Sequence, residues 1–155
     1  IGKKLSNDFT GTNEIVVDCI KKIKSENIDY HFCIYPTSPL LKKKDLLDSF
    51  KKIKKLKFDR LISVGKYTSS PLRAFTRKKN SIKYLNKKFI SKRSQDLPSL
   101  YYDAGSFYIY KTKNILSTKK FPSKSTFYEL NGNSIVDVNT KKDLKLLKKL
   151  FVFGK

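Results

Sequence analysis

The 155-residue chain has no Met, no Trp, a single His and only two Cys. Each shortage removes a class of chemistry. With His31 alone, neither a multi-histidine metal centre nor a Ser-His-Asp triad is available, and His31 reads as a strand-edge residue. Cys19 and Cys33 match no metal-binding spacing and are expected to be buried, unreactive thiols. No apolar run approaches the roughly 18 to 20 residues that a membrane span needs, and Ile1-Gly2-Lys3-Lys4 opens no signal-peptide core. A cytoplasmic protein without membrane contact is therefore expected. The lack of Met even at position 1 suggests a piece of a longer protein.

Arginine is also scarce, although the chain is strongly basic. Lys and Arg total 35 against 13 Asp and Glu, a formal charge of +22, yet only Arg60, Arg73, Arg77 and Arg93 are arginines. Nucleic-acid readers rely on the bidentate guanidinium, and here the lysines are spread over every expected helix. A solvated lysine coat is the expected reading and nucleic acid an unexpected partner. A lysine-rich α/β module that binds nucleic acid or anionic surfaces without catalysis remains the alternative. Eleven Phe and nine Tyr supply the material of a core, which argues for one folded domain over residues 1–155.

Hydrophobic periodicity gives the order of elements. Val16, Cys19, Ile20 and Ile23 recur at helical spacing behind the polar loop Ser6 to Asn13. The run Tyr30 to Tyr35 reads as a buried parallel strand, and it stops at Pro36-Thr37-Ser38-Pro39 because proline has no ladder donor. A helix over 42–57 and a strand over 59–67 follow, so the strand-helix-strand order predicts a parallel crossover with the two strands as neighbours. Residues 68–91 change to short runs outside the main sheet, with a turn at Lys79-Asn80-Ser81. A polar loop from Arg93 through Asp103-Ala104-Gly105 is expected to deliver the aromatic strand Phe107 to Tyr110. After a short helix near 114–116, Pro122 to Tyr128 reads as a loop.

The C-terminal stretch Ser134-Ile135-Val136-Asp137-Val138-Asn139 reads as a short strand, followed by Thr140 and Asp143 at capping-box spacing. On a strand, Asp137 and Asn139 share a face and offer two oxygens to one hard cation. Spacing alone leaves a purely capping role open.

Four stretches together carry a resemblance: Leu5 to Thr12, Ile34-Tyr35-Pro36-Thr37-Ser38-Pro39-Leu40, Arg93 to Tyr108, and Val136 to Leu144. In order and spacing the chain resembles the acylneuraminate cytidylyltransferases, most closely the pseudaminic acid branch. Tyr35 and Ala104-Gly105 stand where sialic acid members have Gln and Asn-Gly. The resemblance covers about the last two thirds of such a protein, without the first strand and the loop that holds the CTP phosphates. It implies a three-layer α/β/α, Rossmann-like fold of the nucleotide-diphospho-sugar transferase type, with a mostly parallel sheet and a homodimer formed through an insertion at about 68–100. The implied activity is transfer of CMP from CTP to a nonulosonic acid, with Mg²⁺ as cofactor. The implied residues are Asp137 and Arg93 for catalysis, Asp137 and Asn139 for the metal, and Thr37, Ser38, Arg73, Gln95, Asp96 and Gly105 around the sugar. Asn139 departs from the family's usual second Asp, which removes one charge from the metal pair.

Overall fold

In the computed structural model, which describes residues 5, 7, 9–117, 124–136 and 138–153, a four-stranded mixed sheet carries helices on both faces. The strands are β1 (Tyr30–Ile34), β2 (Arg60–Lys66), β5 (Tyr101–Lys111) and β6 (Ser125–Glu129), in the order β1-β5-β2-β6. Strands β3 (Phe75–Lys78) and β4 (Ser81–Tyr84) form a separate antiparallel hairpin. The helices are α1 (Thr12–Lys22), α2 (Lys43–Leu56), α3 (Thr112–Ser117) and α4 (Lys141–Phe153).

The expected adjacency of β1 and β2 is not found, because β5 lies between them and runs antiparallel to both. Only β2 and β6 pair in parallel, so the sheet is mixed rather than mostly parallel. The physical reason lies in the sequence of β5. Phe107, Tyr108, Ile109 and Tyr110 are all buried, and a strand apolar on both faces belongs in the middle of a sheet. In β1, by contrast, Phe32 and Ile34 stay exposed, and among the described residues β1 is the outermost strand on its side of the sheet.

Alternation along β5 sorts the two cores. Tyr108 and Tyr110 pack with Val16 and Ile20 of α1 and Ile115 of α3, while Phe107 and Ile109 pack with Ile53 of α2, Leu61 and Leu130. Helix α1 thus buries Val16 and Ile20, whereas Cys19 and Ile23 point to solvent. The expectation of two buried thiols fails at Cys19, and Cys33 is only partly covered. Helix α2 starts at an Asp45 cap, whose carboxylate accepts from the Lys42 N–H at 3.0 Å, and ends where Lys57 turns left-handed at φ 54°.

Two further expectations change. Ser125 to Tyr128, read as part of a loop from Pro122, belongs to β6 (Ser125–Glu129), since its partner strand β2 supplies the ladder that this short run could not announce alone. Around Ser134–Asn139, the described residues form a 3₁₀ turn (Gly132–Ser134) and irregular chain, not a strand. The cap beyond it is as expected: the Asp143 carboxylate accepts from Thr140 N–H and Oγ1–H, both at 2.7 Å, and Asp143 N–H donates back at 3.3 Å. These bonds hold the Asp143 carboxyl below its usual range, the Thr140 hydroxyl contributing most. His31 bridges Ser25 and Thr112 at 2.9 and 2.8 Å, tying the α1–β1 connection to the start of α3.

Candidate active site

The carboxyl end of β1 meets an irregularity in β5. Ile62 pairs with Tyr108 and Val64 with Asp103, so Ala104, Gly105, Ser106 and Phe107 stand opposite Ser63 alone. This is a wide bulge inside a strand, where a loop followed by a strand was expected. Gly105 has φ +57°, and a Cβ there would touch nothing within 4 Å. Backbone conformation, not crowding, selects glycine.

Side chains and neighbouring backbone bind the polar groups of the bulge. Gly105 N–H donates to Asp103 Oδ1 at 3.0 Å, and Phe107 N–H donates to the buried Ser63 hydroxyl at 2.9 Å. The Ser106 carbonyl accepts from Tyr35 N–H at 3.0 Å and from Ser38 Oγ at 3.3 Å. The Pro36-Thr37-Ser38-Pro39 turn is thereby fastened to the bulge, with Thr37 exposed beside it. Tyr108 donates its hydroxyl hydrogen to Asp103 Oδ2 at 2.9 Å, and its ring packs edge-on against Tyr35 at 5.7 Å. Tyr35 in turn shares a 2.5 Å hydrogen bond with Thr12 at the start of α1. Burial first, and the Asp103 carboxylate second, push the Tyr108 phenol well above its ordinary range.

Farther toward the start of β5, where Tyr67 N–H donates to Leu100 O at 3.0 Å, a cleft of about 590 Å³ opens. Lys66, Arg73, Gln95 and Ser99 bring polar groups to it, and Tyr67 and Phe75 bring rings. Arg73 Nη1 donates to Ser94 Oγ at 3.1 Å across the cleft wall. On the same turn as Gln95, Arg93 grips Asp96 in a two-pronged pair at 2.8 and 3.1 Å. This pair is exposed, so its contribution to stability is small.

The residues singled out in the sequence thus fall into two groups, Thr37, Ser38 and Gly105 at the bulge and Arg73 and Gln95 in the cleft, with Arg93 and Asp96 paired beside the cleft. Asp137 lies outside the described residues. Asn139 is exposed, and its N–H donates to Asp143 Oδ2 at 3.2 Å. Leu130 and Ile135 reach the carboxyl end of β2: Leu130 N–H donates to Val64 O at 2.9 Å, and Ile135 Cδ1 would lie 2.8 Å from a Cβ on Gly65. The Asn139 side-chain oxygen is the hard, neutral donor that Mg²⁺ accepts, so this residue fits the cation in kind. Among the described residues, no three His, Cys, Asp or Glu gather on one point.

Sequence reasoning gave no role to Asp103, Tyr108, Ser63 or Thr12, although all but Ser63 lie in the stretches that carry the resemblance. For Asp103 a signal was present, because Asp two residues before Gly is an Asx-turn pattern. For Ser63 there was none, since its role depends on the register between β2 and β5.

Residues 5–153 match the family model described as cytidylyltransferase. The chain belongs to that family. It is 31% identical over 153 residues to the pseudaminic acid cytidylyltransferases of Campylobacter jejuni serotypes O:2 and O:23/36, covering 96% of this chain and 66% of theirs. It is also 28% identical over 138 residues to a Helicobacter pylori protein named as both a pseudaminic acid cytidylyltransferase and a UDP-2,4-diacetamido-2,4,6-trideoxy-beta-L-altropyranose hydrolase, covering 88% of this chain and 26% of that protein. The chain therefore spans just under two thirds of the Campylobacter relatives' length.

Proposed function

We propose that the protein to which this chain belongs transfers CMP from CTP to a nonulosonic acid of the pseudaminic acid type and releases pyrophosphate. The observation that carries this reading is the family match over residues 5–153, with relatives named for that activity along nearly the whole chain. A lysine-rich binding module without catalysis gains no support from these relatives. The arrangement of helices about the sheet fits the three-layer fold of the nucleotide-diphospho-sugar transferases as the scaffold.

In this reading the anomeric hydroxyl of the sugar attacks the α-phosphate of CTP, and the bond to pyrophosphate breaks. Mg²⁺, when bound, offsets the charge that builds on the phosphoryl oxygens. Asp137 supplies the anionic ligand and Asn139 a neutral one. The bulge and the Thr37-Ser38 turn position the sugar, and Arg73 and Gln95 line its cleft. Arg93 is suited to the sugar's carboxylate, because its fork already holds a carboxylate, that of Asp96, in the two-pronged geometry. The ligand's carboxylate then exchanges with Asp96 or shares the guanidinium with it.

The hairpin β3–β4 leaves Phe75, Ile82 and Leu85 exposed, which supports a homodimer contact within 68–100. No described helix is long and apolar enough to cross a membrane.

The test is direct. The complete protein, supplied with CTP, Mg²⁺ and a panel of nonulosonic acids, is expected to release pyrophosphate and form one CMP-sugar. Failure with every sugar, at concentrations where binding is saturated, removes the reading.

A further inference from the structure

The bulge in β5 is closed by one side chain that no sequence motif assigned to the reaction. Asp103 is exposed, yet both of its carboxylate oxygens are engaged: Oδ1 by Gly105 N–H at 3.0 Å and Oδ2 by Tyr108 O–H at 2.9 Å. The two bonds span the irregular segment from its left-handed glycine to the first residue back in register with β2. Between them sits the Ser106 carbonyl, which the Ser38 hydroxyl and Tyr35 N–H grip.

A bulge of this size has many ways to refold, because a strand that carries extra residues opposite one partner is held by few ladder bonds. Two charge-assisted bonds from one carboxylate remove much of that freedom. They also fix the Tyr108 hydroxyl as a donor to Asp103, and so the rotamer of a ring that packs on Tyr35.

We infer that Asp103 is a positioning residue for the sugar side of the reaction: its carboxylate clamps the bulge and, through the Ser106 carbonyl, holds the Thr37-Ser38 turn against it. This rests on the function proposed above and adds a residue to it. The role predicted is geometric, so a neutral side chain of the same shape serves. In Asp103→Asn the amide oxygen still accepts from Gly105 N–H, and the amide nitrogen donates to the Tyr108 oxygen in place of the original bond.

The experiment is steady-state kinetics on the complete protein, with CTP and sugar varied separately and thermal melts alongside. Asp103→Ala is expected to lower kcat/KM for the sugar about ten- to a hundredfold, the scale on which misplaced reacting groups lose rate, while KM for CTP moves less than about twofold. Asp103→Asn is expected to recover most of the loss. Tyr108→Phe, which breaks one arm, is expected to fall between, and Asp103→Ala with Tyr108→Phe to be no worse than Asp103→Ala alone.

Three results overturn the clamp: Asp103→Ala within twofold of wild type, a KM for CTP raised by as large a factor as kcat/KM for the sugar falls, or Asp103→Asn as impaired as Asp103→Ala. The last assigns the work to the charge itself. Should the wild type form no CMP-sugar, the parent reading fails, and the clamp is judged on amide exchange instead. Gly105 N–H is then expected to exchange at least tenfold faster in Asp103→Ala, and an unchanged rate sinks the clamp as well.

Discussion

At the scale of single residues, the site mixes side chains that the sequence made visible with others that only the fold brings together. Asp137 and Asn139 were legible as an Asp-x-Asn pair, and their chemistry gives a sharp expectation. Asp137→Asn in the complete protein is expected to cut turnover at least about a hundredfold, as for lost charge stabilisation at a phosphoryl-transfer site. Asn139→Asp is expected to leave turnover equal or raise it at limiting Mg²⁺, because a second charge strengthens a hard oxygen site. Product formation by chromatography reads both, and an indifferent Asp137→Asn reduces that carboxylate to a local structural role.

His31 makes a different point. The sequence offered it as an edge residue, whereas its ring joins Ser25 to Thr112, whose hydroxyl also donates to the Ile28 carbonyl. With Thr112 Oγ1 accepting from Nδ1–H, the neutral ring takes the Ser25 hydroxyl at Nε2. Burial lowers its pKa below the ordinary 6.5, so the folded state binds fewer protons than the unfolded chain. Its contribution is present in full above pH 6.5 and is lost as pH falls through the lowered value. Melts at pH 7.5 and pH 5 are therefore expected to show a larger drop in Tm for wild type than for His31→Gln. Parallel pH profiles for the two would refute the assignment.

At the scale of elements, helices α1 and α2 and strands β1 and β2 were readable from periodicity, because each repeats its apolar positions locally. β6 and the bulge were not. A five-residue run such as Ser125–Glu129 becomes a strand only because β2 presents it with a partner, and Ser63 becomes a bulge ligand only in the observed register. Gly65 shows how closely the elements meet at the carboxyl end of β2. A Cβ there would fall 2.6 Å from the Tyr102 oxygen and 2.8 Å from Ile135 Cδ1. Gly65→Ala is expected to destabilise by about 1–3 kcal/mol through overpacking, seen as a lower urea midpoint at unchanged slope. An unshifted midpoint would mean that Tyr102 and Ile135 move aside freely.

At the scale of the whole molecule, the family was legible from four separated stretches, while the strand order was not. Sequence neighbours are usually sheet neighbours, and that tendency misplaced β2 next to β1. The assembly is an expectation of the same scale. The complete protein is expected to sediment as a dimer at micromolar concentration, and Ile82→Glu, which puts a charge on the exposed hairpin, is expected to shift it toward monomer. A wild type that sediments as a monomer would contradict the contact.

The central position of β5 also sets a schedule. His31 on β1 and Thr112 just beyond β5 lie 81 residues apart in sequence, and β1 has no other strand beside it among the described residues. On a ribosome adding about 5–20 residues each second, β1 and β2 both leave the tunnel several seconds before the strand that joins them exists. During that interval β1 and β2 lack any partner that the described residues supply within their own sheet, the condition under which nascent chains recruit chaperones or stick to one another. The dense lysine coat then has a use before any substrate is met, since like charge keeps unfinished copies apart while they wait for β5.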